Sequence, residues 1–226
     1  MLSLPAPKLV RSCIVSRRAL LAICLCIVAL SGCFTGERPY FGDSNAFRPG
    51  TLSGDPAIDA VLTKLDGATS GPATAAYTVL TKFGNTTNPA LVVLQPGKRN
   101  VVIGNTRYLQ TEVAANTCTQ DATIPCVPGF DPQRISNIGI TVDFYAADTA
   151  KRLRRDAQAK LGPAITSHDV IAGQPVTCVD VTVSGGTAVY CVLANGLLAK
   201  LDDGDVLITL ALYGDTADAK AFALPG

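Results

Sequence analysis

Few side chains in this sequence are of types that could do chemistry outright. The single histidine, His168, stands beside Asp169, and a histidine next to a carboxylate suggests a general base. A nucleophile on a strained turn would have to join it, but no G-x-S-x-G occurs, and Ser184-Gly185-Gly186 reads as a hairpin turn. Asp202-Asp203-Gly204-Asp205 gathers oxygen ligands around a glycine, yet it lacks the spacing and the closing glutamate of a calcium loop. A solvated turn is expected there. Lys151-Arg152-Leu153-Arg154-Arg155 is the densest positive run. As part of a helix it reads as a water-facing surface, with Asp148 and Asp156 as surface partners. Its alternative reading is a patch for anionic phospholipid headgroups. Cys118, Cys126, Cys178 and Cys191 lack the C-x-x-C spacing of a zinc site, so disulfides are expected and no metal or cofactor is implied.

The other four cysteines belong to the first 33 residues. Lys8, Arg11, Arg17 and Arg18 precede an apolar run over residues 19–30, which at twelve residues is too short to span a bilayer and suits a secretion signal. Leu30-Ser31-Gly32-Cys33 resembles the lipobox of bacterial lipoproteins. That resemblance implies a thioether-linked diacylglycerol on Cys33, cleavage before it, and a mature chain held to a membrane outside the cytoplasm. Ser16-Arg17-Arg18-Ala19-Leu20-Leu21 is similar to a twin-arginine export signal, although paired arginines also occur in ordinary leaders. The whole sequence carries a net charge of +1, but without residues 1–32 it has fifteen basic and eighteen acidic side chains, a net charge of −3. A mildly acidic exported chain without interleaved aromatic residues is not expected to bind nucleic acid.

The elements that must position these residues can be read from periodicity. Residues 34–54 are rich in glycine and proline and are expected to be a flexible tether. Asp55-Pro56 then starts a helix, with Ile58, Val61, Leu62 and Leu65 on one face and Gly67 as its stop. Strands follow over 77–83, 90–94, 100–103 and 106–110, with Gly104-Asn105 as a hairpin turn. Residues 118–131 read as a long loop, and 142–161 as the one long helix, closed by Gly162-Pro163. Further strands are expected over 166–171, 175–183, 187–193, 197–201 and 206–213, and Asp215 is expected to cap a short terminal helix. The class is α+β: a single domain over 55–226, in which one curved antiparallel meander of half-barrel type carries helices on one face.

The turn at Ser184-Gly185 fixes one disulfide. It pairs Val183 with Gly186, and counting back five positions on each strand places Cys178 opposite Cys191 as a non-hydrogen-bonded pair, where Cα atoms approach to about 4.5 Å. Cys118 and Cys126 pair by elimination. Both loops are short, and each bridge is expected to contribute about 2–3 kcal/mol.

The assembled pattern is a lipobox, a tether, a helix from Asp55, a strand series through Lys82-Phe83 and Arg99 to Leu109, and the segment Ile171-Ala172-Gly173-Gln174-Pro175-Val176-Thr177-Cys178. It is similar to envelope lipoproteins of actinobacterial type, which in turn resemble the LolA, LppX and LprG lipid-carrier superfamily. That resemblance implies a concave sheet face that holds an acyl chain or a lipidated substrate, with Tyr77, Val79, Val102, Leu109, Val179 and Val181 as the ligand-binding positions, and no enzymatic activity. Two rival readings are a structural or protein-interaction module and a secreted hydrolase. An apolar cavity beneath the long helix favours the carrier; a solid sheet–helix interface favours the module.

Overall fold

The structure is a computed structural model and describes residues 47–68, 71–121 and 123–224. The leader, Cys33 and the first part of the tether lie outside the described residues. Helix α1 is Pro56–Asp66, and it starts and stops where its sequence dictates. The Asp55 carboxylate accepts the N–H groups of Ala57 and Ile58, Pro56 occupies the first turn, and Gly67 closes the last. Ile58, Val61, Leu62 and Leu65 are its buried face.

Eleven strands form one open antiparallel sheet. They are β1 (Ala73–Thr81), β2 (Thr86–Gln95), β3 (Lys98–Ile103), β4 (Thr106–Gln110), β5 (Ala115–Thr119), β6 (Val127–Pro128), β7 (Ile165–Ile171), β8 (Gln174–Val183), β9 (Gly186–Val192), β10 (Leu198–Asp202) and β11 (Val206–Gly214). The α+β class is as expected, but the topology is not one meander. The order is β6-β5-β4-β3-β2-β1-β11-β10-β9-β8-β7: two meanders fused where β1 pairs with β11. The connection between β6 and β7 therefore carries the chain from one edge of the sheet to the other. It includes a 3-10 helix at Pro132–Ile138 and helix α2 at Ala147–Gln158. Helices α1 and α2 pack on each other and on the β8–β9 side of the sheet.

Several boundaries differ from the sequence reading for local reasons. Helix α2 is shorter than 142–161 because residues 141–146 form turns, with the Phe144 and Ala146 N–H groups bonded to the Thr141 and Asp143 carbonyls. At its other end Lys160 takes a positive φ of 47°, which stops the helix before Gly162 and leaves Leu161 exposed. The loop expected over 118–131 contains the end of β5, which is polar, and all of β6, which at two residues is too short to show any alternation. Asp218, not Asp215, caps the terminal 3-10 helix Ala219–Phe222. The tether also ends sooner than expected: Gly50 N–H bonds the Asp66 carboxylate at 2.7 Å, and Ser53 and Gly54 bond Asp59 at 2.7 and 3.1 Å. Residues 50–54 thus form a strap on α1.

The expected hairpin register is present. Val183 pairs with Gly186 and Cys178 with Cys191, whose sulfurs are bonded across Cα atoms 4.0 Å apart. Cys118 is bonded to Cys126.

Candidate functional site

The six positions expected to bind a ligand separate onto the two faces of the sheet. Tyr77, Val79, Val179 and Val181 lie on the helix-covered face and are buried in the main core. Val102 and Leu109 lie on the other face. Leu109 packs with Val93 and Phe222 in a second, smaller cluster, and Val102 is only half buried opposite Arg107. Their neighbours Val101, Ile103 and Tyr108 take the core positions instead. In the unbroken apolar run Val101-Val102-Ile103, either phase of the two-residue repeat is available, and a slip of one exchanges the faces.

Beneath the helices, the covered face is filled by the protein itself. The Tyr77 hydroxyl donates to the Leu198 carbonyl at 2.9 Å, and its ring meets Phe144 edge-on at 5.2 Å. Phe144 in turn meets Tyr145 edge-on at 5.9 Å. From β9, the Tyr190 hydroxyl donates to Asp156 Oδ2 at 2.5 Å. Burial drives the hydroxyls of Tyr77, Tyr108, Tyr145 and Tyr190 above the usual tyrosine range, and for Tyr190 the Asp156 carboxylate adds to it. A raised folded value means stability that is complete below the ordinary tyrosine value of 10.0 and is lost as the pH rises above it. We expect these four tyrosines to ionise together with unfolding in an alkaline titration followed by tyrosinate absorbance. Smooth ionisation of all tyrosines near the ordinary value, with near-ultraviolet dichroism intact, would contradict the packing.

A cleft of 490 Å³ opens beside this core, between the end of α1, the β2–β3 turn and the start of α2. Leu65 and Leu94 form its apolar wall, and Arg99, Gln110, Asp143 and Tyr145 its polar one. The polar wall is already committed. Arg99 donates from Nε to Gln110 at 2.7 Å, pairs with Asp143, is bonded to Tyr145, and lies 4.9 Å over the Phe130 ring.

The remaining chemistry-bearing residues do not converge. His168 is exposed on β7, opposite Thr177, and Asp169 beside it points to the other face of the strand. The acidic turn is a structural clamp rather than a solvated one. Asp203 Oδ1 accepts the N–H groups of Asp205 and Val206, both at 2.8 Å, and its Oδ2 accepts from Arg152 at 3.1 Å. Partial burial alone would raise the Asp202 carboxyl, but Lys82 at 2.8 Å and Lys200 at 3.5 Å together outweigh it and hold it below the usual range. Among the described residues no group of histidine, cysteine, aspartate and glutamate is placed to hold a metal.

The basic run also departs from expectation. Lys151 and Arg155 face water, but Arg152 and Arg154 turn inward because α2 is covered on both flanks. Arg152 joins Asp148, Asp203 and the Gly139 carbonyl. Arg154, with 3% of its side chain exposed, pairs with Asp66 of α1 and donates to the Thr51 carbonyl at 2.8 Å. Of the expected partners, Asp148 meets Arg152, whereas Asp156 is buried against Tyr190 and Arg155. Two of these cations are fasteners between elements, a role that the run itself does not signal.

One surface is open. β7 is the outermost strand at one end of the sheet, and no described strand pairs with its outer edge. Six of its seven residues are exposed, including Ile165 at 62% and Val170 at 66%.

The fold thus defines an α+β domain built on an open antiparallel sheet, closed on its covered face and unpaired along one long edge. No family model matches the chain, and no curated protein matches it. Among solved structures, "Crystal structure of MucB" aligns at 10% identity with a TM-score of 0.46, over 76% of this chain and 64% of that one. "Crystal structure of MucB in complex with MucA(peri)" aligns at 10% identity with a TM-score of 0.42, over 74% of this chain and 59% of that one. The chain spans less than two thirds of the length of these neighbours.

Proposed function

We propose that this protein is a lipid-anchored, extracytoplasmic module without enzymatic activity, which binds other proteins rather than carrying lipid inside its fold. The observation that carries this reading is the filled sheet face. Tyr77, Val79, Val179 and Val181, where the carrier-superfamily resemblance implies a guest, are packed beneath α1, α2 and the Phe144 ring. An acyl chain would have to displace that packing, at about 0.8 kcal/mol for each methylene group driven back into water. Placement outside the cytoplasm is supported by the leader, by the lipobox at Cys33, and by two disulfides of a kind that persists in oxidising compartments. Absence of catalysis is supported by the exposed setting of His168 on an edge strand, where no hydrogen bond or ion pair joins its ring to a hydroxyl or carboxylate among the described residues.

Mass spectrometry of the chain purified from membranes in a non-ionic detergent tests both parts. Under denaturing conditions, the expected mass is that of a chain beginning at Cys33 and carrying covalent acyl groups; an unprocessed, unmodified chain would refute the anchor. Under native conditions, no further lipid is expected. A stoichiometric lipid that leaves only on unfolding would restore the carrier.

A further inference from the structure

The two ends of the sheet are treated very differently. β6 ends one side as a two-residue strand that includes Pro128, a short edge with one N–H removed, which is how proteins blunt an edge. β7 ends the other side as a seven-residue strand with no such protection along most of its length. The β7–β8 turn is the pair Ala172-Gly173, both at positive φ, so Ile171 and Gln174 form the hydrogen-bonded pair that closes a two-residue hairpin. Alternation from there makes Val170, His168 and Thr166 the residues whose main-chain groups point away from β8. Pro175, which has no N–H to give, stands opposite Val170 in agreement with that phase. The Val170 N–H is taken by the Asp169 carboxylate at 2.7 Å. The N–H and C=O groups of Thr166 and His168 remain available to an incoming strand.

The side chains define what that strand must be. Thr166, His168 and Val170 continue the helix-covered face beyond the helices, because Thr177, the neighbour of His168, accepts a hydrogen bond from Lys64 of α1. On the opposite face lie Asp169 and, across the pair with Ile165, Asp180. Neither carboxylate is in an ion pair among the described residues. A second copy of this chain would bring two further aspartates to the same edge. A strand with cationic residues on one face and β-branched apolar residues on the other would meet Asp169 and Asp180 with opposite charge and cover Val170.

We propose that the β7 edge accepts an extended, cationic–apolar segment of a partner protein as a twelfth strand, bonded to the main chain at Thr166 and His168 and selected by Asp169 and Asp180. This rests on the reading of the protein as a protein-binding module.

The test uses the acylated chain in non-ionic detergent and two blocked peptides matched in length to β7, one alternating valine with lysine and the other alternating valine with glutamate. We expect the lysine peptide to bind at least about tenfold more tightly than the glutamate peptide, and Asp169→Lys to reverse that order. His168→Pro removes an outward N–H that β8 does not use, so the melting temperature should hold while lysine-peptide affinity falls by about tenfold or more. Should that variant not fold, methylation of alternate amide nitrogens in the lysine peptide serves the same purpose and should abolish binding. Equal binding of both peptides, binding of neither, or a dimer of the chain that His168→Pro converts to monomer would overturn the proposal. Failure here with no lipid in the native mass spectrum would sink the edge alone, whereas a stoichiometric lipid would sink the wider reading.

Discussion

Replacing Arg154 with methionine is expected to lower the unfolding free energy by about 3–5 kcal/mol, because it strands a charge as well as removing two hydrogen bonds. Arg154 is buried between α2, α1 and the strap, and its guanidinium serves both the Asp66 carboxylate and the Thr51 carbonyl. Methionine can fill most of the space but bonds to neither oxygen. Asp66 would keep the N–H of Gly50. The companion experiment is the double substitution Arg154→Met with Asp66→Leu, which removes both charges. It should recover most of the loss, since an apolar pair of similar volume is often no less stable than a buried ion pair. Urea unfolding of the four species gives the coupling directly. Purely additive effects would mean that the two residues do not act as a pair.

Gly196→Ala should be nearly as damaging, for a steric reason. Gly196 lies in the turn between β9 and β10 at φ +86°, and a Cβ built there falls 2.1 Å from the Lys64 carbonyl oxygen and 2.8 Å from the Ala68 Cα. Both are backbone atoms at the end of α1, so no rotamer change relieves the clash. The left-handed conformation adds about 1–2 kcal/mol, and displacing α1 about 1–3 kcal/mol more. We expect a total loss of about 3 kcal/mol. Gly173→Ala separates the two contributions, since Gly173 has φ +73° but open space where its Cβ would go. It should show the conformational part alone. Equal losses from the two alanines, measured by thermal melting, would refute the close approach of the β9–β10 turn to α1.

What can be read from the sequence is local and redundant. Helix α1 is specified at once by Asp55, Pro56, four spaced apolar residues and Gly67. The β8–β9 hairpin is specified by its turn and checked independently by the spacing of Cys178 and Cys191. A single signal does not suffice. The apolar run at Val101-Val102-Ile103 leaves its phase open, and Leu109 falls on the opposite face from the one expected. The pairing of β1 with β11 has no local signal, since it depends on where a distant strand docks. The basic run of α2 reads the same whether its cations face water or neighbouring carboxylates, because the deciding residues, Asp66 and Asp203, belong to other elements. Of the site, the lone histidine and the strand that carries it are legible. The position of that strand at the end of the sheet is not.

The union of the first strand with the last has a consequence for biogenesis. Until β11 is available, β1 is flanked only by β2, and the β1–β6 half presents an unfinished border where the centre of the sheet should be. A chain that emerges from its amino-terminal end therefore cannot complete the sheet before its final strand arrives, and such long-range pairing is slow to form. Closure of the sheet at its centre is thus deferred until the whole domain has been made, and the order of synthesis is not the order in which the sheet can be completed.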